Sequence, residues 1–104
     1  MKPDEATLED IIERVVSAAQ PERIILFGSA VTGKMTRHSD IDLLVITTRG
    51  HRGKTTEHIY RRMTGAGYPV DVIVAHPEDL DRFGDSPAMV YREALRNGRV
   101  IYDR

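Results

Sequence analysis

Two aspartates at the entrance of an apolar segment constrain this chain more than any other feature of its sequence. Asp40 and Asp42 lead into the apolar residues 43–46, which predict a strand covered on both faces within an α/β sheet. Residues two apart share a face of a strand, with about 7 Å of backbone rise between them. Ionised carboxylates are costly there unless a cation neutralises them. The pair therefore predicts a site for a hard divalent cation, which prefers oxygen ligands.

A second feature lies upstream, where another apolar strand ends in a Gly-Ser pair. Residues 24–27 are apolar and are followed by Gly28 and Ser29. Glycine lets the backbone approach a ligand closely, and a strand that turns directly into a helix directs free N–H groups at an anion. A phosphate-binding turn beside a carboxylate pair suggests a nucleoside triphosphate bound together with metal.

Periodicity and capping signals arrange the chain as alternating helices and strands. We predict helices over about 3–20, 29–32, 55–66, 77–83 and 86–97, and strands over 23–27, 41–46, 68–75 and 99–102. The last helix is predicted to have Ser86 as its N-cap and Pro87 as its first residue, and residues 47–54 are predicted to form a loop. This order predicts a small α/β fold with a mixed central sheet of about four strands flanked by helices.

A third aspartate, Asp71, lies inside the predicted strand 68–75. If that strand neighbours the one that follows Asp40 and Asp42, and Asp71 faces the same side, three carboxylates meet at one point. Attack of a hydroxyl on a bound triphosphate places negative charge on the transferred phosphoryl group, and two metal ions about 3.5–4 Å apart can neutralise it. We expect Asp40 and Asp42 to bind both ions, and Asp71 to bind one of them and accept the proton of the attacking hydroxyl.

The spacing of these motifs resembles the signature of the DNA polymerase β-like nucleotidyltransferases. Residues 27–29 read Phe-Gly-Ser, and after ten further residues 40–43 read Asp-Ile-Asp-Leu. In length and form the chain is similar to the minimal nucleotidyltransferases of that superfamily, and the similarity covers most of the chain. The resemblance implies that Gly28 and Ser29 contact the β- and γ-phosphates, and that Asp71 is the third carboxylate of the site.

The same resemblance implies a function and a partner. Minimal nucleotidyltransferases are typically paired with HEPN-domain proteins in toxin–antitoxin modules. The chain is then expected to use ATP and two Mg²⁺ ions to transfer AMP onto a hydroxyl, with a tyrosine of a HEPN-family ribonuclease toxin as acceptor. Larger relatives carry an extra domain for which this chain has no room, so a partner is expected to supply the missing surface. The chain would then act as an antitoxin, in a hetero-oligomer with the toxin.

One difference from many relatives leaves an alternative open. Those relatives carry arginines directly after the Gly-Ser pair, whereas this chain has Ala, Val and Thr at 30–32. Lys34 or Arg37 is the candidate replacement for binding the nucleotide. The alternative function is a non-catalytic antitoxin module that binds its partner and retains only metal or nucleotide binding. Transfer to a small molecule such as an antibiotic is a weaker third hypothesis, since those enzymes usually need a second domain.

Each motif also has a purely structural interpretation. Asp40 and Asp42 could cap the start of a strand, Asp71 could pair with a nearby arginine, and Gly28 with Ser29 could form a plain tight turn. Their combination at these spacings favours the functional interpretation.

Length and composition set further limits. The 104 residues, with a net charge of −1 and no cysteine, are expected to form one domain over 1–104 without disulfides or thiolate metal sites. This charge provides no general field for nucleic acid, so we do not expect direct nucleic-acid binding. No apolar stretch reaches the length of a membrane span, and we expect a cytoplasmic protein.

Overall fold

Nine helices and strands form the part of the chain that the structure describes. The structure is a computed structural model, and it describes residues 2–86 and 90–104. The elements are α1 (Glu5–Ala19), β1 (Arg23–Phe27), α2 (Ser29–Thr32), β2 (Ile41–Ile46), α3 (Arg52–Met63), β3 (Val70–Ala75), α4 (Pro77–Phe83), α5 (Tyr91–Asn97) and β4 (Arg99–Asp103). None of the helices within those two ranges is long and apolar enough to cross a membrane.

The four strands form one mixed sheet in the order β3-β2-β1-β4. β1 is antiparallel to both β2 and β4, and β2 is parallel to β3. The parallel pair requires a crossover, which α3 provides. The predicted α/β fold, with its mixed four-stranded sheet flanked by helices, is confirmed.

Helices cover both faces of the sheet because the side chains of its central strands alternate between two apolar clusters. On one face, Leu43 and Val45 pack with residues of α1 and α3, such as Ile11 and Ile59. On the other face, Leu44 packs with residues that include two from α5. All four residues of 43–46 are at most 5% exposed, as expected for a central strand. Burial on both faces fixes the register of β2, and therefore fixes where its first residues project.

The structure corrects the predicted boundaries of two elements. Residues 52–54 belong to α3, not to the predicted loop, because His51 caps the helix: its Nδ1 accepts the N–H of Gly53 at 3.1 Å. Arg52 also forms two hydrogen bonds with Asp79 of α4, at 2.7 and 2.9 Å. β3 begins at Val70 rather than at 68.

The last helix begins later than predicted. α5 spans Tyr91–Asn97 with Val90 as its N-cap, so the predicted cap at Ser86 is wrong for this helix. The predicted first residue, Pro87, lies outside the described residues.

The hydroxyl of Tyr68 links the segment before β3 to α1 and makes stability sensitive to alkaline pH. Tyr68 donates a hydrogen bond to Asp10, and its burial, followed by that hydrogen bond, raises the pKa of Tyr68 to about 12. An unfolded tyrosine has a pKa of about 10. The stability that Tyr68 contributes through its hydrogen bond is therefore full below about pH 10 and is lost as the pH rises towards 12. We expect urea unfolding of Tyr68→Phe to lose less stability over this interval than the wild type does.

The control for this experiment is Tyr102→Phe, which removes a hydroxyl from β4 and keeps the Tyr68–Asp10 bond. Its stability should fall with pH as steeply as that of the wild type. Parallel profiles for the wild type and Tyr68→Phe would contradict the assignment.

Candidate active site

The fold brings the three predicted aspartates to one end of the sheet. Asp42 and Asp71 are direct neighbours in the parallel pair of β2 and β3, so their side chains lie on the same face. Asp42 shares its face with Leu44, which belongs to the apolar cluster that α5 covers. Asp40 precedes Asp42 by two residues and lies close enough for its charge to act on it. The acids thus lie at the starts of β2 and β3, on the α5 side.

Asp42 is the electrostatic centre of this group. Burial raises the pKa of the Asp42 carboxyl, and the charges of Asp71, Asp40 and Glu93 raise it further. No cation is among the groups that shift it. Within residues 2–86 and 90–104, neither the Asp40 nor the Asp42 carboxylate accepts a hydrogen bond or forms an ion pair. The negative charge of the group is therefore left without compensation by this part of the chain.

Glu93 is a residue that the sequence analysis did not identify. It lies in α5, between the buried residues Tyr91 and Ala94, which attach the helix to the face of the sheet that carries the aspartates. On an amphipathic helix a glutamate is normally a solvated residue, so no sequence signal distinguishes Glu93. Its effect on Asp42 depends on how α5 packs against the sheet.

Gly28 provides the surface against which Asp42 lies. Its backbone angles are φ 73° and ψ −147°, in a region that only glycine adopts without strain. A Cβ atom built there would collide with Oδ2 of Asp42. Because Phe27 pairs with Asp42 in the sheet, the residue after it reaches the carboxylate directly. Gly28 therefore lies directly beside Asp42, at the end of the sheet where the other aspartates lie.

Ser29 begins the single turn of α2. The carbonyl of Gly28 accepts the N–H groups of Val31 and Thr32, at 3.0 and 3.2 Å, which fixes the turn. The first amides of a helix have no acceptor within the helix, and those of Ser29 and Ala30 have no recorded acceptor among the described residues.

Lys34 and Arg37, the other two predicted nucleotide-binding residues, form no hydrogen bond or ion pair with the three aspartates in the part of the chain that the structure describes. Both are exposed, and neither is among the groups that act on Asp42. Arg37 lines a separate cavity of about 260 Å³ between the start of α1 and the segment before β3, together with Tyr68 and Pro69. Among the described residues, no side-chain cation acts on Asp42 in place of the arginines that many relatives carry after the Gly-Ser pair.

The carboxylates are suited to a divalent cation but are not gathered into a finished ligand set. In the described part of the chain, no three His, Cys, Asp or Glu side chains form a cluster that could hold a metal ion as they stand. Asp40, Asp42 and Asp71 nevertheless offer hard oxygen donors, and the like charges around Asp42 raise its pKa. Oxygen donors without a protein cation fit Mg²⁺ or a similar ion, whose charge would draw the side chains together.

Comparison with known proteins places the chain in a family. Residues 9–104 match the family described as "Polymerase beta, Nucleotidyltransferase". The chain belongs to this family. Nucleotidyltransferase domains of this kind typically use a divalent metal ion and a nucleotide, and the superfamily inferred from the Gly-Ser and Asp-x-Asp spacing is thereby confirmed.

A solved structure shows the same fold. It is that of a candidate nucleotidyltransferase from Sulfolobus solfataricus, determined at 1.40 Å resolution. The similarity covers 100% of this chain and 93% of the other, with 21% sequence identity and a TM-score of 0.59. Among proteins of curated function, none matches this sequence. The family therefore rests on the sequence match, and the solved structure supports the fold.

Replacing Gly28 tests whether the turn and Asp42 form one unit. Gly28→Ala introduces both backbone strain, about 1–3 kcal/mol for such a conformation, and a collision with the Asp42 carboxylate. Gly67→Ala is the matched control, because Gly67 also has positive φ, +90°, but open space where a Cβ would lie. We expect urea unfolding to show a larger loss of stability for Gly28→Ala, and only this variant to lose Mn²⁺-dependent binding of ATP. Equal effects of the two substitutions would contradict the close packing of Asp42 on Gly28.

Proposed function

We propose that this nucleotidyltransferase transfers AMP from ATP onto a hydroxyl of a partner protein. The observation that carries the proposal is the position of Asp42, which lies against the Gly28 turn on one side and beside Asp71 on the other. The Gly28 turn, which would bind phosphate, and Asp71, which would accept a proton, then lie on either side of the Asp42 carboxylate. This arrangement is what in-line transfer between a triphosphate and a hydroxyl needs.

The residues of the chain divide the reaction between them. The backbone at Gly28 and Ser29 orients the triphosphate, and Asp71 accepts the proton of the attacking hydroxyl. The hydroxyl oxygen forms a bond to the α-phosphorus as the bond to the bridging oxygen breaks, and pyrophosphate leaves. Asp40, Asp42 and Asp71 would hold the magnesium ions, which when bound neutralise charge on the phosphates and lower the pKa of the acceptor hydroxyl.

The exposure of the site supports a macromolecular acceptor. Asp40 and Asp71 are both exposed, and Asp42 is half-buried. A hydroxyl on the surface of another protein can therefore reach Asp71 without entering a cavity. Resemblance to the minimal nucleotidyltransferases points to a HEPN-family ribonuclease toxin as the partner and a tyrosine as the acceptor. The chain would then be an antitoxin that adenylylates the toxin within a hetero-oligomer.

A second candidate function is a non-catalytic antitoxin. It is favoured by the residues after Gly28 and Ser29, where Ala30 is buried and neither Lys34 nor Arg37 acts on Asp42. If no side-chain cation binds the phosphates, binding of a triphosphate depends on the backbone N–H groups of the turn and on bound metal ions. Such a module would bind the toxin and leave it unmodified.

Transfer of label distinguishes these functions. The protein is incubated with Mg²⁺, the product of the neighbouring gene and ATP labelled at the α-phosphate, with ATP labelled at the γ-phosphate as a parallel sample. We expect only the α-label on the partner, and a loss of at least about 100-fold in Asp42→Asn, because the charge of the transition state is then less well neutralised. Asp81→Asn removes an exposed carboxylate on α4 and should transfer label at the wild-type rate.

Two results would contradict catalysis. One is equal labelling of the partner by the wild type and Asp42→Asn. The other is the absence of label while both proteins neutralise the partner equally, which would support the non-catalytic module.

A further inference from the structure

The outer strand β3 lies at one edge of the sheet, beside only β2. An edge strand has backbone groups that point away from the sheet and need other partners. The N–H of Val72 is one of these, and it donates to the hydroxyl oxygen of Tyr60 at 2.8 Å. Tyr60 lies on α3, so this bond fastens the edge of the sheet to the helix just beyond Asp71.

The same hydroxyl reaches the proposed proton acceptor. The O–H of Tyr60 donates to Oδ1 of Asp71 at 3.4 Å. Because the oxygen already accepts the N–H of Val72, its proton is directed towards another acceptor, and the Asp71 carboxylate is the one within reach. α3 packs on the opposite face of the sheet from the aspartates through Ile59 and Met63, so Tyr60 extends around the edge of the sheet to contact Asp71.

The hydroxyl, more than the ring, accounts for the position of Tyr60. Tyr60 is 39% exposed and is not part of the buried core, so core packing alone does not account for its position. Its two hydrogen bonds go to adjacent residues of β3. One holds the backbone from which Asp71 projects, and the other holds one oxygen of the carboxylate.

We propose that Tyr60 is a positioning residue for Asp71, an inference that rests on the proposed function. By holding one carboxylate oxygen at the edge of the sheet, Tyr60 limits the rotation of Asp71. The other oxygen is then left for a metal ion and the acceptor hydroxyl beside the neighbouring Asp42. A carboxylate that is already oriented loses less freedom when it binds a cation.

Tyr60→Phe tests this proposal because it keeps the ring and removes only the hydroxyl. We expect Mn²⁺ to bind about 10-fold more weakly in calorimetry, as is typical when a hydrogen-bond partner of a ligand is removed. The kcat for AMP transfer should fall by a similar factor while the KM for ATP stays unchanged, since Gly28 and Ser29 are not altered. Hydrogen exchange at the amide of Val72 should become faster, because that N–H loses its acceptor.

Tyr68→Phe is the matched control, because it also removes a hydroxyl that is bonded to a carboxylate, that of Asp10. It should leave Mn²⁺ affinity, kcat and exchange at Val72 at their wild-type values. The proposal is overturned if Tyr60→Phe binds Mn²⁺ and transfers AMP as the wild type does, or if Tyr68→Phe is equally impaired.

Two other outcomes would overturn the proposal in different ways. AMP found on Tyr60 itself by mass spectrometry would make this residue an acceptor instead of a positioning residue. A wild-type protein that neither binds Mn²⁺ nor transfers label would overturn the proposed function as well, and that result is visible before any Tyr60 variant is compared.

Discussion

The contact between the Asp42 carboxylate and the backbone of Gly28 is the central interaction of the candidate site. It holds a half-buried negative charge against a glycine, which has no side chain, and like charges from Asp71, Asp40 and Glu93 add to it. A protein that only needed to fold would gain by removing such a charge. The arrangement is therefore best explained by a ligand that supplies positive charge at this point.

The sheet makes this contact possible. Burial of β2 on both faces fixes its register, and pairing on either side places Phe27 and Asp71 next to Asp42. The turn after β1 and the start of β3 are consequently brought to the same carboxylate by backbone hydrogen bonds alone. The geometry of the candidate site thus depends on the pairing of the central strands, while Asp40 and Asp71 remain exposed.

Sequence patterns predicted the parts of the structure that depend on local periodicity. The strands and the shared face of Asp40 and Asp42 follow from alternation, whereas the position of Asp71 was left conditional because it depends on the pairing of β2 with β3. The start of α3 could not be predicted, because it depends on a cap by His51 and on the pairing of Arg52 with Asp79, 27 residues away. Glu93 and Tyr60 were missed for the same reason, since their proximity to the aspartates arises from helix packing and from the edge position of β3.

The stability of Asp42→Asn with and without Mg²⁺ tests the central claim most directly. Because the pKa of Asp42 is raised in the folded protein, the wild type loses stability as the pH rises through this pKa, and the penalty is present at neutral pH. We predict that urea unfolding near pH 7 shows Asp42→Asn to be more stable than the wild type without Mg²⁺, and that Mg²⁺ stabilises only the wild type. A less stable Asp42→Asn, or an equal effect of Mg²⁺ on both proteins, would contradict the account.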